Sequence, residues 1–444
     1  MFRASLLLAA FLPANFVFGQ TTFSIASPPA AGAQTAPQQQ APAAPPSRPP
    51  APARMITLDE AITLAIASSP SLKASQTQIQ QNQAQEITAN LRPNPTFQGD
   101  SQFIPFFTPS QLTQNVEQYD LGVGYTFELG GKRHKRLSAA RDQTAVTAAQ
   151  VADTERALTF NVAQQFINVL LAKSNLQLAE DDLKSFQQTV DISQERYRAG
   201  DISEGDYLKI KLQMLQFQTD VTTARVAKVQ AQSSLRQLIG YAALPHDYEV
   251  AGDLIYQPLK ARLEDLQAKA LQERPDLRAV QKGITAGKSQ ITLAKANGVP
   301  DLSFSTNYSH TPGLNSLSWF VSIPIPVFDR NQGEIARTKF ALTQNQLTAT
   351  AAEDTVMTDV ANAWESAASN QEVLQLYESG YLKDAQDSRD ISAYAYRAGA
   401  AALLDFLDSE RSYRATQLAY RQALAAYMLS LEQLRQAVGT RSLP

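Results

Sequence analysis

Between Tyr119 and Leu129 apolar and polar residues alternate. Tyr119, Leu121, Val123, Tyr125, Phe127 and Leu129 fall on one side, and Asp120, Gly122, Gly124, Thr126 and Glu128 on the other. A period of two over this length predicts either a strand that crosses a bilayer when tilted or the edge strand of a soluble sheet. Residues 96–107 alternate more loosely and are aromatic, so strands are expected at 96–107 and 119–129. Then the pattern changes. Lys132 to Ala199 contains no Pro and no Gly, is rich in Ala, Gln, Leu and charged residues, and stops at Gly200. Helix formers without a breaker over that stretch predict one continuous helix of about 100 Å. No compact globule needs such an element; it spans something.

The same order of patterns occurs twice. Thr57 with Glu60 three residues on marks the N-terminus of a short helix, Leu58 to Ser68, and Pro70 opens another that runs to about Arg92. After the long helix a further breaker-free helix runs from about Asp206 to Ile239 and ends at Gly240. Leu263 to Glu273 then repeats the short helix, Pro275-Asp276-Leu277 repeats Pro70-Ser71-Leu72, and Pro300 repeats Pro95. Strands are expected at 301–309 and 317–328. A helix from about Gln332 leads to Tyr396-Arg397-Ala398-Gly399, the counterpart of Tyr197-Arg198-Ala199-Gly200, and a last helix, Ala401 to Val438, ends at Gly439. Gly380 predicts a local kink in the second long helix. The chain therefore reads as two structural repeats, 56–240 and 261–440, joined by a connector at 241–260. Each is a hairpin of one long helix beside two shorter ones, about 34 Å and about 51 Å in the first repeat, with a strand pair at one end.

Composition narrows the function. The 444 residues carry a net charge of −3 with scattered basic residues, which gives no footprint for nucleic acid. The chain has no Cys, three His and five Met, so thiolate chemistry and a soft-metal site are not expected. No nucleophile elbow, HExxH motif or paired His is present, and neither an enzyme nor a cofactor is expected. Residues 1–19 read as a signal peptide, with Arg3, an apolar run Leu6 to Leu12 and a small-residue site at Gly19. Residues 20–55 form a Pro/Ala/Gln-rich leader that cannot bury a core. No later apolar run is long enough for a transmembrane helix, so a membrane would be entered by strands. Four strands cannot close a barrel, and an open sheet cannot sit in lipid, so the membrane reading requires self-association.

Taken together, the duplicated strand pair, the two YRAG turns, "TLDEAITLAIASSPSL" (57–72), "LRPNP" (91–95), "FELGGKR" (127–133) and "PIPVFDRNQGEIAR" (324–337) resemble the TolC-type outer membrane factors. The last two resemble the CzcC-like branch associated with heavy-metal efflux, and the likeness covers about residues 55–440. The resemblance implies a fold that is mainly α with a transmembrane β-barrel part: long helical hairpins forming an α-barrel, and four strands per protomer contributing to a twelve-stranded trimeric barrel. It implies a homotrimer in the outer membrane with a long periplasmic extension, docked to a periplasmic adaptor and an inner-membrane pump of the resistance-nodulation-division class. Some relatives carry a lipid-anchor Cys; this sequence does not.

Candidate site residues follow from both lines. The turns Tyr197, Arg198, Ala199, Gly200 and Tyr396, Arg397, Ala398, Gly399 lie at the end farthest from the strands. Locally they are hairpin turns, and the resemblance makes them the adaptor-docking tip. Asp405 and Asp408 share a helix face, and with Asp206 and Glu204 they match the acidic entrance of TolC-like proteins. Threefold symmetry would make them rings of charge; without it they are acids favoured by helix N-termini. Where those relatives place a gate-locking Arg this chain has Ala401. Lys132 and Arg133, in the basic run 132–136, are candidates for headgroup contact or for a solvated cluster, and Trp319 for an interfacial aromatic girdle. The substrate expected first is a divalent heavy-metal cation. Drugs, solvents or a secreted polypeptide form the alternative, and a non-pore periplasmic coiled-coil scaffold a reading of another class.

Overall fold

The computed structural model describes residues 54–102 and 117–442. The signal-peptide reading and all of the leader up to residue 53 lie outside this range, as does the expected strand segment 103–107.

Helices dominate. α1 (Leu58–Ser68) opens on the expected capping box, with Thr57 Oγ1 accepting from the Glu60 amide and Glu60 Oε2 accepting from the Thr57 amide. α2 (Pro70–Asn90) follows at once, with its proline in the first turn. The long helix α3 covers Lys132–Ala199, all 68 residues of the breaker-free stretch. α4 (Glu204–Ile239) returns along it. The second half contributes α5 (Leu263–Glu273), α6 (Pro275–Asn297), α7 (Gln332–Leu376), α8 (Leu382–Arg397) and α9 (Leu403–Val438). The second long helix differs from the first. Between α7 and α8 the backbone takes a π-helical turn, Tyr377–Tyr381, with Gly380 at φ 145°. That conformation is open to glycine and costly for residues with a Cβ, so the kink falls at Gly380, in the interior of the helix.

Six strands are present among the described residues. β2 (Thr96–Gln102), β3 (Gln118–Phe127), β5 (Leu302–Thr311) and β6 (Leu314–Ser322) form one antiparallel sheet in the order β2-β3-β5-β6. β6 begins three residues earlier than the sequence pattern suggested and stops at Ser322 instead of 328. Pro324 and Pro326 cannot donate to a ladder, so the apolar alternation outlasts the strand. A second, two-stranded parallel sheet pairs β1 (Arg54–Ile56) with β4 (Tyr248–Val250). This corrects two expectations: the leader ends in a strand, and the connector contains one.

The core is not a single nucleus. Ile56, Leu72, Val162, Phe166, Leu235, Ile239 and Tyr248 pack where α1, α3 and α4 meet the small sheet. Leu266, Leu277, Val356, Val360, Leu434 and Val438 make the matching cluster of the second repeat. Phe186, Val190, Ile210, Phe217, Tyr396 and Phe406 form a third, and here the two repeats share one core. Helices this long can be held only by clusters strung along their length, because each apolar stripe meets its neighbour locally.

Candidate functional site: the helical tip and the two-faced sheet

At the tip α3 ends at Gly200, whose φ of 84° places it in the left-handed region. The Gly200 and Asp201 amides close the helix on the carbonyls of Tyr197 and Arg196 at 3.0 and 2.8 Å. Ser203 caps α4: its hydroxyl accepts from the Asp206 amide at 3.1 Å and donates to Asp206 Oδ2 at 2.9 Å. Lys209 adds a contact at 3.4 Å. The hydrogen bond from Ser203, then the one from Lys209, holds the Asp206 carboxyl below the usual carboxylate range. Asp206 is therefore tied to the cap of α4, while Glu204 beside it is exposed.

The second turn is built differently. Gly399, at φ 77°, closes α8, but Ala402 stands where Ser203 caps α4 and offers no side-chain acceptor. The only acid in the first turn of α9 is Asp405, and it complements the bare helix N-terminus. Asp405 and Asp408 are both exposed, and neither makes an ion pair among the described residues. Phe406 between them points the other way, into the shared core, at 1% exposure. The two carboxylates thus share a face directed away from the protein.

Tyr197, Arg198, Ala199, Gly200, Arg397, Ala398 and Gly399 are exposed. Tyr197 stacks on Tyr207 with ring centroids 5.3 Å apart, Arg198 pairs with Glu195 at 2.8 Å, and Arg397 donates to the Ala393 carbonyl at 3.1 Å. Tyr396, expected among the docking residues, is instead buried. Its ring stacks on Phe406 at 5.2 Å, because in this helix register it faces the shared core.

Arg196, which the sequence reading passed over, connects the two turns. Its guanidinium donates to the Tyr396 carbonyl at 2.8 Å and lies 5.4 Å from the centre of the Tyr396 ring. Deeper along the helices Arg414 of α9 binds Asp182 of α3 and Asp220 of α4, and rests on the Phe217 ring. Burial pushes the Asp182 carboxyl upward, and Arg414 opposes it. Burial also raises Glu410, one turn before Arg414. These acids and Arg414 are separated in sequence by up to 232 residues, and no local motif joins them.

At the other end, the sheet is two-faced. The register aligns Leu121 with Tyr308 and Leu317, and Tyr125 with Phe304 and Val321, so one face is aromatic and aliphatic across three strands. The opposite face carries Asp120, Gly122, Gly124 and Thr126 beside Ser303, Ser305, Asn307 and Ser309. The apolar face is exposed, with Leu121 at 52% and Trp319 at 66%, and along β3 the opposite side is the more covered, Gly122 and Gly124 being buried. A soluble edge strand would turn that pattern inward. Lys132 does not reach outward. It is buried and pairs with Asp301 at 2.7 Å, so the headgroup contact expected of it gives way to an internal ion pair. Arg133 remains half-exposed. Arg136 of the same basic run ties the junction together, binding Glu128 at 2.5 Å and the carbonyls of Ala89 and Leu91 at 3.0 and 2.9 Å.

No three His, Asp or Glu side chains converge to hold a metal among the described residues, and no described helix is long and apolar enough to cross a membrane.

Long hairpins with a tip at one end and a two-faced sheet at the other are matched in known proteins. Residues 61–241 and 266–440 match the outer membrane efflux protein family. The chain belongs to that family. This TolC-like outer membrane factor is 24% identical over 367 residues to the cobalt-zinc-cadmium resistance protein CzcC of Cupriavidus metallidurans, spanning 82% of this chain and 85% of the relative. It is 24% identical over 319 residues to the cation efflux system protein CusC of Escherichia coli, spanning 69% of each. A crystal structure of CusC superposes with a TM-score of 0.72 at 20% identity, covering 91% of this chain and 99% of that one. The CmeC outer membrane channel of Campylobacter jejuni superposes with a TM-score of 0.71 at 14% identity, covering 86% and 85%.

Proposed function

We propose that this protein is the outer-membrane duct of a tripartite efflux system and conducts divalent heavy-metal cations passively. One observation carries the reading: a four-stranded sheet, apolar and exposed on one face and polar on the other, ends a set of helices about 100 Å long. Such a sheet has two open edges, β2 and β6, which lipid does not tolerate. Joining three copies edge to edge gives a closed barrel of twelve strands. A homotrimer also gives the helices a use for an apolar seam that the single chain leaves exposed, Leu208, Leu212, Leu215, Val226 and Val229 on α4, at the four-three spacing of a coiled coil.

In this reading the sheet lies in the outer membrane, with Trp319 in its aromatic girdle and Arg133 at the headgroups. The helices extend into the periplasm, and the tip meets an adaptor and a resistance-nodulation-division pump. Asp405 and Asp408, with Glu204 and Asp206 beside them, ring the entrance and attract cations without holding them tightly, as conduction requires. The names of CzcC and CusC support a metal cargo. The test is reconstitution of the full chain in planar bilayers, together with deletion of its gene. Cation-selective conductance and loss of zinc, cobalt or cadmium tolerance are expected. A water-soluble, non-conducting product would remove the duct, and unchanged metal tolerance with lost drug tolerance would reassign its cargo.

A further inference from the structure

Midway along the helices α3, α9 and the segment after β4 line a half-open cavity of about 260 Å³ with mixed polar and apolar walls. It lies apart from the tip and from the sheet. Two cations line it, Lys173 of α3 and Arg421 of α9, and neither has a carboxylate within ion-pair distance among the described residues. Other inward-facing arginines of these helices do have acids: Arg274 has Asp276 and Asp359, Arg156 has Asp153, and Arg414 has two.

The partners of Arg421 are neutral. Its Nε donates to Ser174 Oγ at 3.0 Å, and Nη1 to the carbonyl and side-chain oxygens of Gln417 at 3.2 and 2.8 Å. These bonds fix the plane of the guanidinium and leave Nη2 without an acceptor among the described residues. Among the described residues Lys173 Nζ donates only to the carbonyl oxygens of Val250 and Gly252, both at the long distance of 3.4 Å. Burial pulls the Arg421 guanidinium below its ordinary value, outweighing the more distant negative charges of Asp182 and Asp181, which lie outside ion-pair distance. Asp253 also lines the cavity, exposed at its rim and outside ion-pair range of both cations. Gln177 supplies a further amide.

A half-buried cation without an acid is costly unless something supplies the negative charge. A fixed guanidinium from α9 and an ammonium, a hydroxyl and an amide from α3 line the same cavity. That is the donor set of a tetrahedral oxyanion rather than of a planar carboxylate, which a guanidinium fork alone satisfies. We propose that this cavity is a binding site for an oxyanion of the phosphate class, held by Arg421 and Lys173. The bound anion would neutralise both cations and join α3 of the first repeat to α9 of the second.

Isothermal titration of the full chain in detergent micelles with inorganic phosphate tests this, with sodium acetate at matched ionic strength as the second arm. Saturable binding of phosphate and a rise in Tm are expected, with little effect of acetate. Arg421→Gln should abolish the binding and Lys173→Gln weaken it at least tenfold. Lys282→Gln, on an exposed stretch of α6, should leave it unchanged. Because Arg421→Gln also removes bonds to Ser174 and Gln417, Arg421→Lys, which keeps the charge, serves as a second variant and should retain part of the binding. Non-saturable phosphate heats, an equal response to acetate, or binding that survives both Lys173→Gln and Arg421→Gln would overturn the site.

Discussion

The Arg196 guanidinium, one residue before the first tip turn, donates to the carbonyl oxygen of Tyr396 in the second turn and lies against the same residue's ring. One side chain of the first repeat thus holds the backbone of the second at the point where two 36-residue helices begin their return. A charge-assisted hydrogen bond and a cation–π contact together contribute on the order of 1–3 kcal/mol. Arg196→Ala should therefore loosen the two turns relative to each other. Because the chain has no Cys, spin labels at Ala199→Cys and Ala400→Cys report that distance cleanly. A broadened distribution in the alanine variant is expected; an unchanged one would show that the shared apolar core alone fixes the tip.

Arg196 also marks where sequence reading reaches its limit. Helix boundaries were legible because they are local: a Gly-free, Pro-free run, a capping box and paired glycines fix α1, α3 and α9 to within a few residues. The sheet was legible as alternation, and its duplication supplied the second strand pair. What joins the repeats was not. Arg196 and Tyr396 lie 200 residues apart, and Arg414 and Asp182 lie 232 apart, with nothing in their own neighbourhoods to single them out. The short strands β1 and β4 escaped for a related reason. Three residues carry no periodicity, and their pairing spans nearly the whole first repeat. Lys132 misled because a basic run suggests solvent, while its partner Asp301 lies in the other repeat.

Gly380 is the main break in the symmetry of the two long helices. At φ 145° a residue with a Cβ is strained even though its Cβ would meet no neighbour within 4 Å. Gly380→Ala should cost about 1–3 kcal/mol, or else straighten the π-helical turn so that α8 shifts its face relative to α9. Thermal unfolding measures the first outcome. The Tyr377–Tyr420 ring contact, now 5.9 Å between centroids, is the place to look for the second. An unchanged Tm together with unaltered spectra of those tyrosines would mean that the turn imposes no strain.

The half-buried acid Glu410 predicts a pH dependence of stability. Burial raises its carboxyl above the ordinary value of 4.5, with Arg389 as the main opposing influence, and it makes no ion pair among the described residues. Because the folded state favours its protonated form, its favourable contribution is complete below pH 4.5 and is lost as pH rises through the raised value. Glu410→Gln, which stays neutral, should raise Tm at pH 7 and flatten the Tm profile on the alkaline side of 4.5. Destabilisation by the same change at pH 7 would show that attraction to Arg389 and Arg414 outweighs burial.

Asp405 and Asp408 differ from Asp206 in a way that decides which acids would set the charge of the proposed entrance. Asp206 is held by Ser203 and Lys209, so part of its charge is already balanced, whereas Asp405 and Asp408 make no ion pair. In a threefold assembly each would become three carboxylates around one axis, and such rings select cations by their field rather than by tight coordination. Asp405→Asn combined with Asp408→Asn should lower the cation-to-anion permeability ratio in planar bilayers severalfold, most strongly at low salt, where screening is weakest. Asp206→Asn should change selectivity less, and it should lower Tm because Asn carries no charge for Lys209 or for the dipole of α4. Equal selectivity in the Asp405/Asp408 double variant and the parent would place the selectivity of the duct elsewhere along the tunnel.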